Sequence, residues 1–171
     1  MDRPSLLRPF KTALCAGTLV MAAAGGANAE IVSHFFYQNG GNACTGALPT
    51  YEGALRKRPK AIVNQGDVPA YATCSAMSDA AIPNPNRVLA LAYNRGTIPV
   101  EMSCTMVNGD EVDGANYVVS TRNLPVGQPT QFVWVPLAPK PVFQYGLVGV
   151  SCLLPPNVEI DTFAYYVDET I

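Results

Sequence analysis

The chain has 171 residues, with 11 Lys and Arg against 13 Asp and Glu, and a mean hydropathy of +0.13. So mild an acidic balance lacks the basic surface that general nucleic-acid binding needs, and it gives no pull toward anionic membranes. The length suits one domain with a real core.

The first element is an export signal. Arg3, Arg8 and Lys11 precede an apolar run from about Ala13 to Ala24, which ends in Gly25-Gly26-Ala27-Asn28-Ala29. A basic start, a short apolar centre and an A-x-A end define a secretory signal peptide. The apolar run is shorter than the ~20 residues a membrane span needs. Cleavage is expected between Ala29 and Glu30, giving a signal peptide over 1–29 and a single domain over 30–171. The mature part would hold eight basic and twelve acidic residues, a net charge near −4.

Strand periodicity dominates the rest. Ile31 to Tyr37 is rich in β-formers and stops at the loop signal Gln38 to Asn42. The sequence predicts a weak helix over Tyr51 to Arg58, ended by Pro59, and a short strand at Ala61 to Val63 that closes in a turn at Asn64-Gln65-Gly66-Asp67. Strands are expected over Ala70–Ala76 and Arg87–Asn94. The next has Val100, Met102, Cys104 and Met106 on one parity, as a half-buried strand requires. Further strands are expected over Asn116–Thr121, Thr130–Val135, Val142–Leu154 and Glu159–Val167, with Leu137 to Pro141 as a connection. Trp134 shares a parity with Phe132 and reads as a large core residue. No internal repeat is expected. About eight short strands divided by Pro, Gly and Asn predict an all-β fold, an antiparallel β-sandwich.

Loss of Cys15 with the signal leaves Cys44, Cys74, Cys104 and Cys152. An even number in an exported chain reads as two disulfides. Three pairings are possible; Cys44–Cys74 and Cys104–Cys152 are favoured, the second because both cysteines lie on the apolar parity of their strands. No C-x-x-C pair exists and His34 is the only histidine, so no metal site is expected.

Asn64 and Gly66 before Tyr71-Ala72-Thr73-Cys74, then Cys104, then Ser151-Cys152-Leu153-Leu154-Pro155-Pro156 and a closing strand around Ile160 to Val167 form an ordered set. In this order the chain resembles a family of small exported β-sandwich proteins of Gram-negative bacteria. It departs from the family's commoner form at Cys74-Ser75, where proline would follow the cysteine. The resemblance implies a compact β-sandwich and no catalytic residue.

The residues that chemistry would need are sparse. His34 is the sole base for a Ser-His-Asp or Cys-His arrangement and reads as an edge-strand or surface histidine. Asp110, Glu111 and Asp113 are out of register for a calcium loop, with Val112 at a ligand position, and read as a solvated hairpin. Glu101 and Asp161 are formally available as a glycosidase pair. Arg56, Lys57, Arg58 and Lys60 carry half of the mature positive charge. They would dock an anionic partner, such as a lipid head group, polysaccharide or protein patch, or simply guard a strand edge. Tyr51, Tyr71, Tyr93, Tyr117 and Tyr145 would serve a sugar-binding face or ordinary strands.

The expectation is therefore a secreted or periplasmic, non-catalytic protein without cofactor, with a structural role or an unidentified protein or polysaccharide partner. It has no nucleic-acid partner and no membrane span after cleavage. The alternatives are a carbohydrate-binding module and, behind it, a carboxylate-dependent hydrolase.

Overall fold

The structure, a computed structural model, describes residues 31–77, 85–108, 115–135 and 147–170. The signal peptide with its Ala29–Glu30 junction, the Asp110–Asp113 loop, the 137–141 connection and residues 142–146, with Tyr145, lie outside them.

Among the described residues, eleven strands form two antiparallel sheets. They are β1 (Ile31–Asn39), β2 (Cys44–Gly46), β3 (Leu55–Lys57), β4 (Ile62–Asn64), β5 (Ala70–Met77), β6 (Arg87–Asn94), β7 (Val100–Asn108), β8 (Asn116–Leu124), β9 (Pro129–Trp134), β10 (Leu147–Leu154) and β11 (Val158–Thr170). One sheet runs β3-β4-β11-β6-β9, with β1 also on β11; the other runs β2-β5-β10-β7-β8. The two sheets pack as a β-sandwich. Alternation explains which faces meet. Val88, Ala90 and Ala92 of β6 are buried while Arg87 is exposed. Met102, Cys104 and Met106 of β7 are buried likewise. Phe132, Phe163, Ile160, Leu124 and Leu154 fill the space between, and Trp134 is 3% exposed with its indole N–H donating to the Val118 carbonyl at 3.0 Å.

Both disulfides join directly opposed residues of neighbouring strands within the five-stranded sheet. Cys44 of β2 bonds Cys74 of β5, and Cys104 of β7 bonds Cys152 of β10. All four cysteines are fully buried. With sequence separations of 30 and 48, each closure contributes about 4 kcal/mol by loop entropy.

Three local expectations are corrected. Tyr51 to Arg58 is not a helix. A 3-10 turn at Pro49–Tyr51 is followed by β3, because burying Leu55 opposite Asn64 on β4 outweighs the local helix preference. The loop after Tyr37 is shorter than expected. β1 continues to Asn39, whose side chain caps a single helical turn, α1 (Gly40–Ala43), by accepting from the Asn42 N–H at 2.9 Å.

The third correction is a repeat. Asn64-Gln65-Gly66-Asp67-Val68-Pro69 carries β4 into β5, and Asn94-Arg95-Gly96-Thr97-Ile98-Pro99 carries β6 into β7. Both cross from the six-stranded to the five-stranded sheet. Each asparagine is fully buried. Asn64 Oδ1 accepts from Gly66 N–H at 2.9 Å, and its Nδ2 donates to the Val68 and Leu154 carbonyls at 2.8 Å each. Asn94 does the same with Gly96, Ile98 and Leu124, at 2.8, 2.9 and 3.0 Å. The returning turns match as well. Asn157 (φ 61°) donates its N–H to Asn64 O at 2.8 Å, and Gly127 (φ 70°) donates to Asn94 O at 3.0 Å. A buried amide that satisfies three backbone groups fixes each crossing.

Candidate functional site

The outward face of the six-stranded sheet is interrupted at one place. β4 pairs with β11 at Glu159 and Ile160, and β1 pairs with the same side of β11 from Thr162 onward. Asp161 lies in the break. On the other side of β11 the pairing with β6 also skips it, passing from Ile160–Ala92 to Thr162–Leu91. Asp161 is thus a β-bulge, a device that re-aims side chains. Here consecutive residues, Asp161 and Thr162, line the same depression. The Thr162 hydroxyl donates to Asp161 Oδ2 at 3.1 Å.

The chain leaves β1 through this break. A Cβ on Gly40 would meet the Ile160 carbonyl oxygen at 1.9 Å, and one on Gly41 would meet the Arg58 carbonyl oxygen at 2.0 Å. Only glycine fits between these backbones. The result is a notch of about 730 Å³ lined by Tyr37, Gln38, Asn39, Asn42, Lys60, Asp161 and Thr162. Two smaller depressions share Asp161 with it. One reaches Arg58 and Lys60, the other Leu91, Tyr93 and Pro129, and both include Arg95 and Glu159.

Glu159 is 2% exposed and is held by Arg95 at 2.6 Å. Arg95 occupies the second position of the Asn94 turn, which aims it across the groove. Its guanidinium lies 4.9 Å from the centre of the Tyr93 ring. The hydrogen bond to Glu159 is the main reason that the Arg95 pKa is raised above its ordinary value. This pair lines both of the smaller depressions, with Glu159 buried and Arg95 half exposed.

On the other flank of the notch an aromatic row runs along the sheet. Tyr37 and Phe35 alternate outward on β1, while Phe36 between them packs inward against Tyr165. Ring centres are 5.5 Å apart for Tyr37–Phe35 and 4.5 Å for Phe35–Tyr166. Arg87 covers Tyr166 at 5.1 Å. Tyr37 is 70% and Phe35 47% exposed.

The expected residues are divided by this geometry. Arg58 and Lys60 line the groove, whereas Arg56 and Lys57 lie on β3, an edge strand. Tyr93 is at the groove. Tyr51 and Tyr71 pair at 6.0 Å, with Tyr71 on the five-stranded sheet, and Tyr117 lies on β8 of that sheet. Glu101 and Asp161 are not brought together. Glu101 points outward from β7 of one sheet and Asp161 from β11 of the other, so they do not form a glycosidase pair. His34 is exposed on β1. Phe35, Tyr37, Tyr166, Arg95 and Glu159 escaped sequence reasoning. The outward parity of Phe35 and Tyr37 was the available signal. Among the described residues there is no group of three or more His, Cys, Asp or Glu able to hold a metal ion, and no helix long and apolar enough to cross a membrane.

No family model and no curated protein matches the sequence. Solved structures with related outlines include the CBM22-1 xylan-binding domain from Paenibacillus barcinonensis, with 9% identity, a TM-score of 0.46, and coverage of 82% of this chain and 95% of that one. TmCBM61 in complex with β-1,4-galactotriose has 9% identity, a TM-score of 0.37 and coverage of 80% and 88%. The CBM22-1–GH10 modules of a Clostridium thermocellum xylanase, complexed with xylohexaose, have 14% identity and a TM-score of 0.38, covering 63% of this chain and 20% of that one. At these values the likeness transfers neither a ligand nor a residue role.

Proposed function

We propose that the chain is a non-catalytic binding module that works outside the cytoplasm and holds a polysaccharide in the groove on its six-stranded sheet. One observation carries this reading: the row Tyr37–Phe35–Tyr166, exposed at Tyr37 and Phe35, leads directly into a notch lined by Asn39, Asn42, Lys60, Asp161 and Thr162. A sugar ring has an apolar C–H face, which an aromatic side chain covers. Its hydroxyls at the rim need donors and acceptors at fixed places, which amides, a carboxylate and an ammonium provide. An extended open groove suits a chain molecule more than a small compact ligand.

Catalysis by paired carboxylates is disfavoured by the state of Glu159. Glu159 is 2% exposed and engaged in an ion pair with Arg95, so it does not stand free beside Asp161 as the second carboxylate of such a pair. Two buried disulfides support a working place where thiols are oxidised.

Affinity electrophoresis of the disulfide-intact protein through gels containing soluble polysaccharides tests the reading. Retardation by at least one polymer is expected, with a loss of about tenfold in affinity for Tyr37→Ala and Phe35→Ala. Mobility unchanged in every polymer would sink it, as would variants that bind like the parent.

A further inference from the structure

The groove is not electrically even. At the notch end Asp161 accepts from the Thr162 hydroxyl, and Glu159 is neutralised by Arg95. Arg58 and Lys60 lie beside these carboxylates, exposed, and neither makes an ion pair among the described residues. At the far end Arg87 covers Tyr166, and Asp168 accepts from Ser33 Oγ at 2.6 Å and from Asn86 Nδ2, so the charges there balance. Counted over the notch and the depression beside it, Arg58, Lys60 and Arg95 stand against Asp161 and Glu159, so one surplus positive charge sits at this end of the aromatic row.

From this asymmetry we infer that the polysaccharide is an anionic one, carrying carboxylate or sulfate groups, and that Lys60 and Arg58 read the anion while the aromatic row holds the neighbouring sugar rings. The inference rests on the reading of the groove as a polysaccharide site and adds the ligand's charge. Backbone placement supports it. Lys60 is anchored where it stands, because its carbonyl accepts from Gly40 N–H at 3.1 Å, and Arg58 N–H donates to the Ala61 carbonyl at 2.7 Å. The turn presenting both cations is therefore tied to the glycine crossing that forms the notch. A cation held at a fixed place discriminates among ligands, whereas one on a free tail only raises general attraction.

The deciding experiment compares a polyuronide, the same polymer after reduction of its carboxyls to alcohols, and a sulfated neutral polysaccharide, by isothermal titration at low and high salt. The parent protein should bind the polyuronide or the sulfated polymer roughly five- to tenfold more tightly than the reduced polymer, with the margin shrinking in high salt. Whichever of the two anionic polymers keeps the margin identifies the group. Lys60→Met should remove most of the margin, and Lys60→Arg should keep it. Lys57→Met makes the same change in net charge on the neighbouring edge strand, outside the groove, and should leave the margin intact. Far-ultraviolet circular dichroism and a thiol count establish that each variant is folded and bridged. Equal binding of charged and reduced polymers overturns the inference while leaving the polysaccharide reading in place. A loss with Lys57→Met as large as with Lys60→Met overturns it too, since the attraction would then be diffuse. Binding to none of the three, together with failure across the wider panel, overturns the polysaccharide reading itself.

Discussion

The two sheets of the sandwich solve different problems. The five-stranded sheet is regular. β10 pairs with β5 and β7 without a register shift, and both disulfides lie within this sheet. Its outward face carries hydroxyls at matching heights, where Thr73 donates to Ser151 at 3.3 Å and Thr121 donates to Ser103 at 3.1 Å. Among the described residues the six-stranded sheet has no disulfide, one bulge, and two strands sharing one side of β11. Its outward face carries the aromatic row and the ion pair. Covalent staples and irregular features are thus separated. The lesson is that a scaffold closed by cross-links allows the opposite sheet to bear a broken ladder and exposed aromatics, features that each lower stability on their own.

The contrast predicts a graded series of effects. Replacing Cys104 and Cys152 together by Ala should reduce unfolding free energy by about 4 kcal/mol in urea titrations. The fraction still folded should bind ligand as before, and a lost groove would mean that the two sheets are not separable in this way. Next come the crossing turns, which tie the sheets together. Asn64→Ala and Asn94→Ala should each cost about 3 kcal/mol, by stripping donors from buried carbonyls. Near-equal losses would support the equivalence of the two turns, and a loss at only one would break it.

The ion pair should matter less, because Arg95 is half exposed. Arg95→Met, which leaves the Glu159 carboxylate buried without its partner, should cost about 2 kcal/mol. The pH behaviour has a definite sign. The Arg95 pKa is raised in the folded state, chiefly by the hydrogen bond to Glu159, so its contribution is complete below the unfolded guanidinium value and is lost only above it. The difference between parent and Arg95→Lys should therefore stay level from neutral into mildly alkaline solution, as read from urea midpoints. The smallest effect on stability, under about 1 kcal/mol, is expected for Tyr37→Ala, which removes a surface ring. Its effect on binding should be among the largest.

Much of the five-stranded sheet was legible. Val100, Met102, Cys104 and Met106 announce both a strand and its buried face, and the parity of Cys152 announces a partner. β3 was not legible, because Tyr51 to Arg58 has the residues of a helix and becomes a strand only through Leu55 meeting β4. The repeated crossing turns were written plainly in N-x-G-x-[V/I]-P, yet their equivalence shows only when the Leu154 and Leu124 carbonyls arrive from elsewhere in the chain. The site was the least legible part. Arg58 and Lys60 stood out as charge, and Asp161 as a carboxylate. Their neighbours Tyr37, Asn39 and Thr162 are distant in sequence, and no periodicity joins them. Pairing of Asn39 with Thr162 is a property of topology alone.

That pairing bears on when the groove exists at all. β1 and β11 are the first and last strands among the described residues, and they meet over nine opposed pairs. Tyr37 and Asn39 come from one, Asp161, Thr162 and Tyr166 from the other. A chain in which β11 has not yet docked would hold the Cys44–Cys74 link between β2 and β5, but no notch and no aromatic row. Ligand competence thus depends on one docking event, the closing strand lying down beside the opening one.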